Sequence, residues 1–212
     1  SIFYDLIPLL NPDLYFSGNL EFEKFYLSKL KKLRQLDGLL AISESSAYEA
    51  NQHLDFNKSF VFNISSACDK STFNTSRKII CSDSIKPILN ETFLLYTGAG
   101  DSRKNLKGLL EAYSLLPQKL KHFKLILAGK LAIPEQELID QWIQSYGIDS
   151  KNVIQTGYIS DDDLVGLYRN CYLFVFPSFH EGFGLPLLEA MSCGAPVIGS
   201  RATSIPEVIG KS

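Results

Sequence analysis

Two glutamates with seven residues between them, Glu181 and Glu189, frame the run Gly182-Phe183-Gly184-Leu185-Pro186. Gly182 and Gly184 let the backbone come close to a ligand, and Pro186 suits the first turn of a helix whose unbonded amides attract anions. Two acids beside an anion site conflict unless they accept hydrogen bonds from hydroxyls. A nucleotide sugar supplies such hydroxyls, on its ribose and on its hexose. A second loop, Thr97-Gly98-Ala99-Gly100-Asp101-Ser102-Arg103-Lys104-Asn105, delivers two adjacent cations after a small-residue turn. Backbone amides with Lys and Arg make a diphosphate cradle there, although two solvated surface cations would read the same in isolation.

These loops need a scaffold, and from residue 93 the chain alternates strictly. Apolar strands are expected at 93–99, 123–129, 153–159, 173–178 and 196–200. Amphipathic helices are expected between them, at 105–116, from Pro134 to Tyr146, after Ser160 and at 184–193. Ser160 with Asp163 three residues on resembles a capping box. Strands that are apolar throughout imply a parallel sheet covered on both faces, with ligands outside the carboxyl ends of its strands. Upstream, 2–7 reads as a strand closed by Pro8. A helix over 19–37 stopped by Gly38, a strand from Gly38 to Ser43, a helix starting near Ser45 and a strand over 59–64 follow. The polar stretch 69–91 reads as a linker between two domains. Both ends are expected to lie inside a larger fold.

Composition removes other classes. With 21 Lys+Arg against 23 Asp+Glu, bulk electrostatic binding of nucleic acid is not expected. No apolar run approaches the ~18–20 residues of a membrane span. Cys68, Cys81, Cys171 and Cys193 form no CxxC pair, so buried single thiols in a reducing compartment are expected. The Gly98-x-Gly100 turn resembles a dinucleotide fingerprint, but its third glycine position is Arg103. Strand two ends in Ala128-Gly129-Lys130 with no acid for a ribose, which disfavours an NAD-dependent oxidoreductase. A P-loop fails at Arg103 and Asn105.

The run Pro177-Ser178-x-x-Glu181-Gly182-Phe183-Gly184-Leu185-Pro186-x-x-Glu189-Ala190-Met191-x-x-Gly194-x-Pro196-Val197-Ile198 resembles the signature of the GT4 family of retaining glycosyltransferases. Tyr96-x-Gly98 with Arg103-Lys104-Asn105 resembles that family's phosphate turn, and Gly157-Tyr158-Ile159-Ser160 with Leu164 and Leu167-Tyr168 its base-binding region. Ile205-Pro206-Glu207-Val208, Tyr4-Asp5-Leu6-Ile7-Pro8 and Ile42-Ser43-Glu44-Ser45 resemble its other segments. The resemblance implies an α/β fold of the two-Rossmann (GT-B) type. Residues 1–68 would be a remnant of the acceptor-side domain, 69–91 the linker, and 92–212 the nucleotide-sugar-binding domain without its last strand and helix.

Carried over by position, Lys104 and Arg103 neutralise the leaving diphosphate next to Gly98. Glu189 holds the ribose hydroxyls and Glu181 the donor-sugar hydroxyls. The amides of Phe183, Gly184 and Leu185 bind sugar or phosphate, and Tyr158 borders the base. Two positions depart from the pattern. Ala99 stands where relatives carry Arg, which implies one phosphate contact fewer, and Tyr4 stands where they carry His, which removes support for a histidine-assisted step. His180 reads as a structural or supporting imidazole.

The implied reaction is transfer of a hexose from a nucleoside-diphosphate sugar to a glycan or lipid-linked acceptor. The lean is toward GDP-mannose, with a UDP-sugar the other choice, and a non-catalytic nucleotide-sugar-binding module is the alternative. No cofactor is expected. No Asp-x-Asp clamp is offered, and Asp161-Asp162-Asp163 reads as the acidic start of a helix, so metal-independent chemistry is expected. The expected location is cytoplasmic. Peripheral contact with the inner membrane face would run through an acceptor-side half upstream of Ser1. The basic stretch Lys29, Lys31, Lys32 and Arg34 reads first as a solvated helix face.

Overall fold

The computed structural model describes residues 1–56, 60–98 and 100–210. The expectations placed on Ser59 and Ala99 fall outside the described residues. The chain divides into two units. The first comprises Ser1–Ala67, His180–Gly184 and Arg201–Ser212, and the second Cys68–Phe179 and Leu185–Ser200.

In the first unit, β1 (Ile2–Phe3), β2 (Leu39–Ala41) and β3 (Val61–Asn63) form a parallel sheet in that order. Pro8 and Pro12 do not close a strand. They stand in the first turns of two one-turn helices, α1 (Ile7–Leu10) and α2 (Pro12–Tyr15), where a missing N–H costs no hydrogen bond. α3 (Leu20–Leu33) opens on Asn19, whose side chain accepts from Phe22 N at 3.1 Å. It stops short of Gly38, since Leu36 faces solvent and no core holds another turn. α4 (Glu44–His53) is capped by Ser43, which accepts from Ser46 N at 2.8 Å. Glu207 of α9 (Ile205–Ile209) caps it further, accepting from the amides of Glu44 and Ser45 at 2.9 and 3.1 Å. Phe3, Leu6, Leu30, Leu39, Ala47, Ala50 and Leu54 make this unit's core.

The second unit has the expected parallel sheet, of β4 (Phe93–Thr97), β5 (Lys124–Ala128), β6 (Val153–Gly157), β7 (Leu173–Phe176) and β8 (Val197–Gly199). Its order is β6-β5-β4-β7-β8. α5 (Leu106–Ser114) and α6 (Ile133–Ser145) cover one face, packing Leu106, Leu109, Leu110, Ile139 and Ile143 against Tyr96, Leu125 and Leu127. α7 (Asp161–Asn170) covers the other, where Tyr168 meets Phe174 edge-on at 5.3 Å. α8 (Leu185–Ser192) follows β7 and buries Leu187 and Ala190. Segment 69–91, expected as a linker, belongs to this unit and buries Ile85 and Ile88. The cysteines are unpaired, and burial pushes the Cys171 thiol up to about 12.

Candidate functional site

The strand order decides where a ligand would sit. From β4 the chain winds outward through β5 to β6, then returns to place β7 on the other side of β4. That reversal is the topological switch point of an open parallel sheet, and its carboxyl edge is where such sheets bind ligands. The two loops singled out for their chemistry leave the sheet on either side of it, after Thr97 and after Phe176.

Local hydrogen bonding fixes the first loop. Gly98 adopts φ +148° and donates its amide to Ala128 O at 3.2 Å. Asp101 Oδ1 accepts from Arg103 N at 2.9 Å and starts a 3-10 turn over Ser102–Lys104. Asn105 ends the turn in the left-handed region, at φ +55°, and α5 begins there. Two bonds then join this loop to the one after β7. Phe179 N donates to Arg103 O at 2.8 Å, and Asn105 Nδ2 to Pro177 O at 3.2 Å. Lys104 Nζ lies 5.5 Å from the centre of the Phe176 ring at the end of β7. Arg103 Nε is 3.4 Å from Asp101 Oδ2, so its charge is shared with a carboxylate.

Glu189 stands in the second turn of α8, next to the same edge. Tyr168 donates its phenol to Glu189 Oε2 at 3.3 Å, and the Thr97 side chain at the end of β4 adjoins that phenol. Glu189 and the cation turn are thus brought to neighbouring strand ends within one unit. Burial raises the Glu189 carboxyl above its ordinary range, the Tyr168 bond opposes this, and Asp161 adds to it. Tyr158 projects into solvent beyond Gly157, at the end of edge strand β6, two strands from β4. That is roughly 10 Å by ordinary strand spacing. Leu185 is exposed at the start of α8.

Glu181, Phe183 and Gly184 belong to the first unit and are buried there, Gly184 at φ +104°. Glu181 donates its amide to Thr203 Oγ1 at 3.0 Å and accepts from Ser204 Oγ at its carbonyl at 2.9 Å. Gly182 O accepts from the hydroxyls of Ser43 and Ser46, at 2.7 and 3.0 Å. A Cβ on Gly182 would lie 2.8 Å from Asp5 Oδ2, so the loop passes too close for a side chain. Tyr4, the departure from histidine, exposes its ring and offers its carbonyl to Ser46 Oγ. In the acidic run, Asp162 pairs with Arg77 at 2.6 Å and accepts from Ile80 N. Asp163 does not complete a capping box, because its carboxylate accepts from Ser82 N and Ser160 Oγ instead.

Comparison with known proteins adds to this geometry. Residues 82–212, well over half of the chain, match the family described as glycosyl transferases group 1. The chain belongs to that family. It is 44% identical over 210 residues to the serotype-specific mannosyltransferase WbdA of Escherichia coli, covering 98% of this chain and 26% of that protein. It is 46% identical over 119 residues to the O-antigen chain mannosyltransferase B of Escherichia coli, covering 56% of this chain and 31% of that protein. The chain spans about a quarter of the length of the first of these relatives. Among solved structures, Anabaena HepE in complex with UDP and glucose superposes with a TM-score of 0.75 at 21% identity, over 99% of this chain and 55% of that one. The expected α/β fold of the GT-B type, with parallel Rossmann-like sheets, is therefore the fold of this chain.

In the sequence, Thr97 stands out only as the first residue of its loop and Tyr168 only as part of the base-binding resemblance. Tyr168 follows Leu164 and Leu167 on an apolar helical stripe, and nothing in that spacing shows that its hydroxyl ends at Glu189.

Proposed function

We propose that the chain binds the nucleotide sugar for a retaining, GT4-type mannosyl transfer from GDP-mannose to a glycan or lipid-linked acceptor, without a metal ion. The observation that carries the reading is the switch point between β4 and β7, flanked by Lys104 on one side and Glu189 on the other. The mannosyl donor is supported by relatives named mannosyltransferases at 44–46% identity. In the proposed step the bond from the anomeric carbon to the β-phosphate oxygen breaks. The acceptor hydroxyl attacks the same face and its proton passes to the departing phosphate. Negative charge grows on that phosphate, so fixed cations and amides aimed there lower the barrier. Lys104, with Arg103 beside it, and the start of α8 fill this role. Glu189 holds the ribose, Glu181 the mannose and Tyr158 the base.

The proposed place of action is the cytoplasmic face of a membrane that carries the acceptor. Among the described residues no helix is long and apolar enough to cross a membrane.

Thermal melting with GDP, UDP and NADH tests the donor. A ligand at a hundred times its Kd stabilises the fold by about 2.7 kcal/mol. GDP should raise the melting temperature more than UDP, and NADH should leave it unchanged. A larger shift with UDP would replace the guanosine donor by a uridine one, and a shift with NADH alone would refute the glycosyl-donor reading.

A further inference from the structure

We propose that Glu49 is a positioning residue for the donor loop, acting through His180 on the backbone that carries Glu181. The inference rests on the donor-sugar role proposed for Glu181. Glu49 lies on α4 and is only 5% exposed. A carboxylate so placed needs donors, since burying it unpaired is costly. It has two: Oε2 accepts from Leu6 N at 2.8 Å, and Oε1 is 2.7 Å from His180 Nε2.

The direction of each bond can be worked out. Asn11 Nδ2 donates to Ile7 O at 2.9 Å, which sets the orientation of that amide, and the same nitrogen lies 3.5 Å from His180 Nδ1. An amide nitrogen only donates, so Nδ1 must be the acceptor and the ring proton sits on Nε2, facing Glu49. The imidazole is held at both nitrogens, one residue before Glu181. The other end of the loop is held by the same helix, because Ser43 and Ser46, which grip Gly182 O, cap and open α4. An apolar residue at position 49 could pack α4 as well. Only a group with two acceptor oxygens fixes both the ring and the chain at Leu6.

Glu49→Gln would set an amide N–H against the Nε2 proton, and switching the tautomer would set Nδ1–H against Asn11. Calorimetry should compare GDP-mannose with GMP, which lacks the sugar and the β-phosphate, on the parent and on Glu49→Gln, His180→Leu and His180→Gln. The first two variants should weaken GDP-mannose tenfold or more and leave GMP within twofold. His180→Gln can still donate to Glu49 and should recover most of that loss. Equal losses for both ligands, or no loss for either, would overturn the positioning role. If Glu49→Gln does not fold, the two His180 variants give the same comparison. A parent that binds neither ligand would overturn the donor reading itself, and the proposal with it.

Discussion

In the intact enzyme, Lys104→Ala should lower turnover with the proposed donor, GDP-mannose, roughly 30- to 1000-fold, the equivalent of about 2–4 kcal/mol for losing one preorganised electrostatic donor. The size follows from placement. The lysine ends a short 3-10 turn whose backbone is tied to the neighbouring loop through Arg103 O and Asn105 Nδ2, so its ammonium arrives at the strand ends without further ordering. The diphosphate is charged before and after bond cleavage, but the β-phosphate gains charge in the transition state. Turnover should therefore fall more than donor affinity. Loss of the contact with the Phe176 ring itself costs the fold only about 0.5–1 kcal/mol. Steady-state rates, with the exposed Lys107→Ala on α5 as control, check this. Unchanged turnover in Lys104→Ala would remove the residue from the site.

Glu189→Gln should bind GDP roughly tenfold to a hundredfold more weakly and yet melt above the parent at neutral pH. The affinity loss is that of one charge-assisted hydrogen bond to a ribose hydroxyl, about 1.5–3 kcal/mol. The stability gain has a different origin. Burial raises the Glu189 carboxyl, so the folded state holds its proton more tightly than the unfolded chain does. Below the unfolded value, near 4, both states are protonated and no cost arises. As pH rises through the higher folded value the half-buried group ionises, and the charged form is the one that burial disfavours. Glutamine does not titrate and can still accept from Tyr168. The difference in melting temperature should therefore be largest at neutral pH and close as the solution is acidified toward pH 4. A variant that loses both affinity and stability at pH 7 would make Glu189 a structural acid. The opposed signs are the mark of a group whose carboxylate serves a ligand at the expense of the fold.

The second unit was largely legible in the chain, and for a physical reason. Parallel strands buried on both faces tend to be continuous apolar runs, and 93–96, 125–128 and 173–176 are. Loops at their ends then announce themselves by glycine, proline and charge. The order of the strands carried no local signal. That β7 pairs with β4 depends on which faces the helices cover, so the switch point appears only in three dimensions. The N-terminal prolines misled because Pro8 and Pro12 satisfy a helical first turn as well as a turn after a strand. The residue types proposed to meet the ligand, Lys104, Glu181, Glu189 and the glycines, were readable as chemistry. Their supports were not. No motif marks Glu49, and only folding buries it against His180. The segments around Ser43 and Glu207 were singled out separately, and the bonds from Glu44 N and Ser45 N to the Glu207 carboxylate explain why both matter.

Amide hydrogen exchange with and without GDP is the most direct test that a diphosphate occupies the carboxyl edge between β4 and β7. Saturating GDP should slow exchange at 98, 100–104 and 185–189, the stretches whose amides border that edge. Binding accompanied by protection elsewhere, with these stretches exchanging as fast as in the free protein, would contradict the account.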